Sequence, residues 1–460
     1  MSPACERNKA ARTELEMTWL LLFALAIQRE RPPLEALAAA QEASSAHPER
    51  ADLQYELGAR YASLGRVNEA LETLRLATEL APQEAEYSLA YGEALYRAGR
   101  ATEALPYLEK AFSLPEALLL LASVHEKLGD PEKTIAELSR YVDAKPEDRG
   151  ARLLLGSKLE QAKRIDEALA LYRSAADGES LARAAELLSR RPETHLEAES
   201  AARRALEADP THLEARIVLA RVLSRTGREG EALEELERAG AGNPDAPQLF
   251  YQLAQAYQRA GRAIEAQESA RKFQELEAKE KSEREREARV AVTYKRAADT
   301  LQKGDMLEAE RVFRSVLEID PENTQSRSML AKIAFSRNDP ASATRWIDEA
   351  IERDAGIAEY HYLRGLFEAR AGRAVEAEPS IRRSLELDPA FPEAWSLLGS
   401  LLLDSRRAEE ALGCFLRASL LEPSSAAVQL NLASAYSALG KTEEEEAAME
   451  RYRLLSRPSR

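Results

Sequence analysis

From Ala51 to Glu84 the chain reads ADLQYELGARYASLGRVNEALETLRLATELAPQE, with apolar and small residues returning every three or four positions over two stretches. That interval lines them up on one side of a helix, so the segment predicts two amphipathic helices, joined at Gly65 and closed by Pro82. The pattern is not local. The chain realigns with itself at a shift of 34 residues over almost its whole length, which predicts a stack of helical hairpins. Thirteen repeats follow, beginning at residues 17, 51, 85, 115, 149, 179, 213, 247, 290, 324, 358, 392 and 426, those at 85 and 149 shortened to 30 residues.

Each recurring residue has a steric reason. Position 20 of the repeat is alanine in eleven of the thirteen, Thr134 and Glu445 being the exceptions. Two helices cross closely only where the contacting side chains are small, and Gly58 at position 8, with Ala70 and Ala77, fits that need. Larger residues at positions 7, 11 and 24, such as Leu219, Leu223 and Leu236, are expected to fill the core around the crossing. Glycine at position 15 (Gly65, Gly99, Gly129, Gly227, Gly261, Gly304, Gly372, Gly440) suits a left-handed turn. Proline at position 32, as at Pro82, Pro146, Pro210 and Pro389, stops the second helix.

This framework of Leu57, Gly58, Tyr61, Ala70, Ala77 and Pro82 resembles the tetratricopeptide repeat family. The resemblance implies an all-α fold, a superhelical solenoid of about thirteen helix-turn-helix units, because one hairpin cannot bury its own apolar face and must stack on its neighbours. It also implies a concave groove lined by the first helix of each repeat, chiefly at positions 2, 5, 9, 12 and 13. On this chain those positions bring forward Arg183, Arg190 and Arg191, then Arg221 and Arg225, then Tyr251, Gln255 and Arg259, and finally Tyr294. A positive inner face of this kind would attract a protein or peptide with acidic or phosphorylated segments, guanidinium forks matching carboxylates. The competing reading is of ordinary solvated polar positions. Some members of the family grip a chaperone's C-terminal carboxylate with lysine and asparagine; Asn431 is the only asparagine near the groove here, so that clamp is not supported.

The frame breaks once. Residues 277–289, EAKEKSEREREAR, have no apolar stripe but carry opposite charges at i,i+4, which predicts a solvated helix. The expected organisation is a polar tail over 1–16, a first array over 17–280, a charged helical linker over 281–289 and a second array over 290–459. Trp19 to Ile27, WLLLFALAI, is too short to span a bilayer. Residues 17–28 leave two readings open, an export signal or a capping first helix whose apolar outer side docks on a partner or on a second copy of the chain.

Net charge changes the list of partners. At −15, with a pI near 5.2, the chain repels phosphate backbones and anionic lipid, so neither nucleic acid nor an integral membrane span is expected, and RNA-binding helical repeats are disfavoured. Cys5 and Cys414 stand alone, and the five histidines are scattered, so no metal or cofactor is expected. Gly440, Lys441 and Thr442 lack the earlier glycine and the strand of a phosphate loop, and neither GxSxG nor HExxH occurs. The expected function is therefore a non-catalytic scaffold for protein partners, or else an accessory subunit of an enzyme, secretion or assembly complex. A soluble chain is expected, in the cytoplasm, or in the periplasm or outside the cell if residues up to about 27 are an export signal.

Overall fold

A computed structural model of the chain describes residues 33–456; residues 1–16 and the apolar stretch Trp19 to Ile27 lie outside them. Among the described residues all regular elements are helices. Apart from residues up to Glu42, which group with the second unit, the described chain divides into two compact blocks, Ala43–Lys281 and the residues from Ser282 onward, and each is described by itself.

In the first block the helix pairs are Ala51–Ser63 with Val67–Leu80, Ala85–Arg97 with Ala101–Lys110, Pro115–Leu128 with Pro131–Ala144, and Arg149–Gln161 with Ile165–Arg173. Gly178–Ser189 with His195–Ala208, Leu213–Arg225 with Glu229–Gly242, and Pro247–Arg259 with the start of Ala263–Gln302 complete it. Second helices are short at Ala101–Lys110 and Ile165–Arg173, the two repeats that lack the closing proline turn. The second block contains Met306–Ile319 and then Thr324–Ser336 with Pro340–Arg353, Ala358–Arg370 with Ala374–Leu387, Pro392–Asp404 with Ala408–Leu421, and Ala426–Ala438 with Thr442–Leu455. Within each block a helix packs on the next one, and successive first helices also touch, as Gly178–Ser189 does with Leu213–Arg225 and Thr324–Ser336 with Ala358–Arg370.

The close crossing of each pair is set by positions 8 and 24. A methyl added at Gly58 would lie 2.6 Å from Leu74, at Gly156 2.3 Å from Tyr172, and at Gly399 2.5 Å from Phe415. The nearest partner of the small residue at position 8 is thus the large residue at position 24, and the position-20 alanine also borders it, the Ala377 carbonyl lying 3.1 Å from a methyl added at Gly365 and the Ala104 carbonyl 3.5 Å from one at Gly92. Position 15 carries left-handed backbone in all the repeats from 51 onward except that beginning near 179, with glycine in eight of them and Lys163, Asn338 and Arg406 in the other three. In those three the hairpin geometry overrides the preference of an L side chain for negative φ.

One repeat departs from the expected register. Its first helix begins at Gly178, not at residue 179, and Asp177 caps it by accepting from the Ser180 N–H at 2.9 Å. Leu181, Ala184, Ala185 and Leu188 are buried, with Ala182 and Leu187 beside them, and those four stand one position earlier than the 34-residue frame places its core. The second helix, His195–Ala208, is back in frame, with Ala198 fully buried. A 3-10 turn at Pro192–Thr194 takes up the extra residue, which is why no left-handed residue stands at this turn.

Where the frame breaks, the second helix of the repeat starting at Pro247 does not end. It runs as one helix, Ala263–Gln302, and the side chains of residues 277–289 are exposed throughout.

Candidate interaction face

With the register corrected, the first helices of the first block present three rows. Position 5 holds Tyr55, Leu89, Leu119, Leu153, Ala182, Ile217 and Tyr251, an apolar floor in which Leu119, Ala182 and Ile217 are buried. Position 2, near each helix N-terminus, holds Asp52, Glu86, Glu116, Glu179 and Glu214, interrupted by Gly150 and ending at Gln248. Position 13, near each C-terminus, holds Arg97, Lys127, Arg190, Arg225 and Arg259, all exposed, with Ser63 and Gln161 between them. Acids at N-termini and bases at C-termini both match the helix dipole. The face is consequently polar across its width, acidic along one edge and basic along the other.

The expected site residues divide accordingly. Arg190, Arg225 and Arg259 fall on the basic edge, Arg221 and Gln255 on position 9, and Tyr251 on the floor. Arg183 and Arg191 do not belong to these rows: the one-residue slip moves them to positions 6 and 14, where Arg183 pairs with Glu179 at 3.3 Å and Arg191 approaches Asp166 at 3.9 Å. Tyr294 lies in the second block, packed edge-on against Phe313 with ring centroids 5.4 Å apart, and burial pushes its phenol up.

Acids also stand among the arginines. The Arg221 guanidinium donates to Glu186 at 2.8 Å, and Arg190 lies 3.9 Å from the same carboxylate. Arg225 donates to the Ser189 carbonyl and Arg259 to the Ser224 hydroxyl, each reaching back one repeat. Glu186 was placed at position 8 by the unbroken frame and so went unread; at its true position 9 it faces the groove. A further link between repeats is His212, whose Nε2 lies 3.0 Å from Glu179 while Nδ1 accepts from the Ala215 N–H at 3.3 Å, capping the helix that follows. The hydrogen bond that His212 donates to Glu179 raises the imidazole pKa against the opposing effect of burial, and the same bond lowers that of the carboxylate.

At the end of the row a cavity of about 300 Å³ opens, lined by Ile217, Arg221, Gln248, Tyr251, Gln252, Phe273 and Glu277. The Tyr251 and Phe273 rings sit 5.5 Å apart at 52°. Position 27 is buried alanine at Ala77, Ala111, Ala175, Ala205 and Ala239, where the next helix nests, but buried tyrosine at 141 and phenylalanine at 273. That exchange was legible in the repeat alignment; that the helix would continue and carry Glu277 alongside Phe273 was not.

In the second block Arg364 bridges Asp348 at 3.1 Å and the buried Glu368 at 3.3 Å, and the Ser380 hydroxyl donates to Glu368 at 3.1 Å. Burial raises both carboxyls, and the cluster ties three helices together. Cys414 is buried, which pushes its thiol up to about 11, outside the range of a reactive thiolate. Among the described residues no group of His, Cys, Asp and Glu is placed to hold a metal, and no helix is long and apolar enough to cross a membrane.

Three sequence models, all described as tetratricopeptide repeat, match the chain. One covers residues 21–85, 60–117, 119–190 and 396–457, a second 193–249 and 300–366, and a third 247–272. Over 154 residues the chain is 27% identical to mouse Superkiller complex protein 3, and over 143 residues 28% identical to tetratricopeptide repeat protein 37 of Xenopus laevis. Those matches take in 33% and 31% of this chain but only 10% and 9% of the relatives' own length. Among solved structures, the APC/C hetero-tetramer Cut9-Hcn1 aligns over 92% of this chain and 90% of its own at 12% identity with a TM-score of 0.35. MamA aligns over 35% of this chain and 93% of its own at 19% identity with a TM-score of 0.33. Repeats of this kind generally act as scaffolds for protein interaction. With helical hairpins at the expected interval and family models matching along most of its length, the chain belongs to the tetratricopeptide repeat family.

Proposed function

We propose that this protein is a non-catalytic scaffold that holds an extended segment of a protein partner along the inner face of its first block. The observation that carries this reading is the run of three parallel rows, an apolar floor between an acidic and a basic edge, over seven consecutive first helices. Such a strip offers apolar burial to every other side chain of an extended segment, and its edges fix which way that segment lies. Acidic or phosphorylated residues of the partner would face Arg190, Arg225 and Arg259, whose contacts (Glu186 at 3.9 Å from Arg190, the Ser189 carbonyl for Arg225, the Ser224 hydroxyl and Glu229 at 4.0 Å for Arg259) leave further N–H donors on each guanidinium. The apolar floor contributes affinity and the edges contribute specificity, because exposed charge pairs add only about 0.2–1 kcal/mol each.

The test uses a random peptide library displayed against the full chain. Enriched peptides are expected to bind more weakly, and with a shallower dependence on salt, when Arg190, Arg225 and Arg259 are all replaced by alanine. Binding and salt dependence that do not change, or a library that yields no binder, would overturn the reading.

A further inference from the structure

The cavity at Tyr251 exists because two features of the ordinary repeat are missing there together. Second helices elsewhere in the block stop by position 30, and all but Pro131–Ala144, which has Tyr141, are followed or occupied by alanine at 27, so the following repeat can close over them. Here Phe273 replaces that small residue and the helix runs on through Glu277, leaving an opening between two aromatic rings and a carboxylate. Tyr251 is 46% exposed, so its ring is available to an incoming group.

The charges around the opening select its occupant. Arg221, the one cation in the lining, is already matched by Glu186 at 2.8 Å. Glu277 has no hydrogen bond or ion pair to another side chain among the described residues, and the amides of Gln248 and Gln252 are likewise unpaired. What the opening presents to a ligand is therefore one unmatched negative charge, two aromatic rings and two amides that can donate or accept. A carboxylate or phosphate would meet repulsion from Glu277 and from the faces of the rings. A neutral aromatic group would stack but would leave Glu277 desolvated without a partner. An ammonium or guanidinium on a long apolar stem satisfies all of them at once, its charge over the rings and its N–H groups on Glu277.

We infer that this cavity is a receptor for one lysine or arginine side chain of the partner, held between Tyr251 and Phe273 and paired with Glu277. The inference rests on the reading of the inner face given above and adds a sign to it: the partner carries a base at this end, opposite in charge to the residues that face the Arg190, Arg225 and Arg259 edge.

Peptides enriched from the random library against the full chain are measured by fluorescence anisotropy on the wild type and on Phe273→Ala, Glu277→Gln and Glu277→Lys. Enriched sequences are expected to share a lysine or arginine, and Glu277→Lys to weaken them about tenfold or more, Glu277→Gln less. Exchanging that base for glutamate should restore binding to Glu277→Lys, a result that altered folding cannot produce. Peptides that bind but lack a shared base, or that ignore both Phe273→Ala and Glu277→Lys, would overturn this inference and leave the scaffold reading standing. If no peptide binds at all, both fall.

Discussion

The two blocks share a scaffold and differ in the face it presents. In both, position 8 is small, and except where position 24 is itself alanine, at Ala202 and Ala270, it lies beneath a large position 24, as at Gly156 under Tyr172 in the first and Gly399 under Phe415 in the second. In both, the turn residue is left-handed, glycine or not. Position 13 of the first block reads Arg97, Lys127, Gln161, Arg190, Arg225, Arg259 after Ser63; position 13 of the second reads Gln302, Ser336, Arg370, Asp404, Ala438. Positions that build the crossing repeat because every hairpin meets the same steric problem. Positions on the inner face are free of that steric demand, and only the first block keeps them in charged rows.

The largest expected effect tests the shared part. Phe415→Ala and Tyr172→Ala each empty a fully buried position 24 and should cost about 3–5 kcal/mol, read as local opening by hydrogen exchange. Exchange should rise in the mutated block and its nearest repeats, since each hairpin contacts only its neighbours. Next in size is overpacking. Gly156→Ala, Gly399→Ala, Ala232→Leu and Ala377→Leu should each cost about 1–3 kcal/mol, with no systematic difference between blocks. A block that tolerated them would not share the scaffold.

A smaller effect separates the blocks by pH. His212 has its pKa raised above 6.5 by the hydrogen bond to Glu179, so the stability it contributes is complete below 6.5 and is lost as pH rises through the raised value. Glu179 has its pKa lowered from 4.5 by the same bond, so its contribution is present above 4.5 and is lost as pH falls through the lowered value. The first block should therefore be firmest between those two ordinary values and weaken above 6.5. Asn323, Ile357, Phe391 and Ser425 precede the equivalent first helices of the second block and offer no such titration. His212→Ala should remove the bond to Glu179 and with it the weakening above 6.5. Smallest of all, Arg183→Ala and Arg191→Ala should change peptide binding by less than about 0.5 kcal/mol, because the slipped register takes both side chains off the rows.

How much of this could be read from the sequence follows the same division. The 34-residue interval was sufficient for the helix pairs, the turns and the buried alanines, since those residues are fixed by a steric demand that recurs. The groove was legible only while the frame held. At residues 178–194 the core letters Leu181, Ala184, Ala185 and Leu188 already fit a frame one residue earlier, but the alanine at 198 held the count in place and hid the slip. Glu186 was lost for that reason. Glu277 was lost for another, because a charged segment without an apolar stripe reads as solvated linker, and only a continuous helix sets its first turns beside Tyr251.

The central claim is that the first block's inner face, in the corrected register, is where a partner lies. Hydrogen exchange of the full chain with and without an enriched peptide tests it most directly. Protection is expected along the first helices between Gly178 and Arg259, with the second helices between His195 and Gly242 unchanged. Protection confined to those second helices, or to helices between Thr324 and Ala438, would contradict the account.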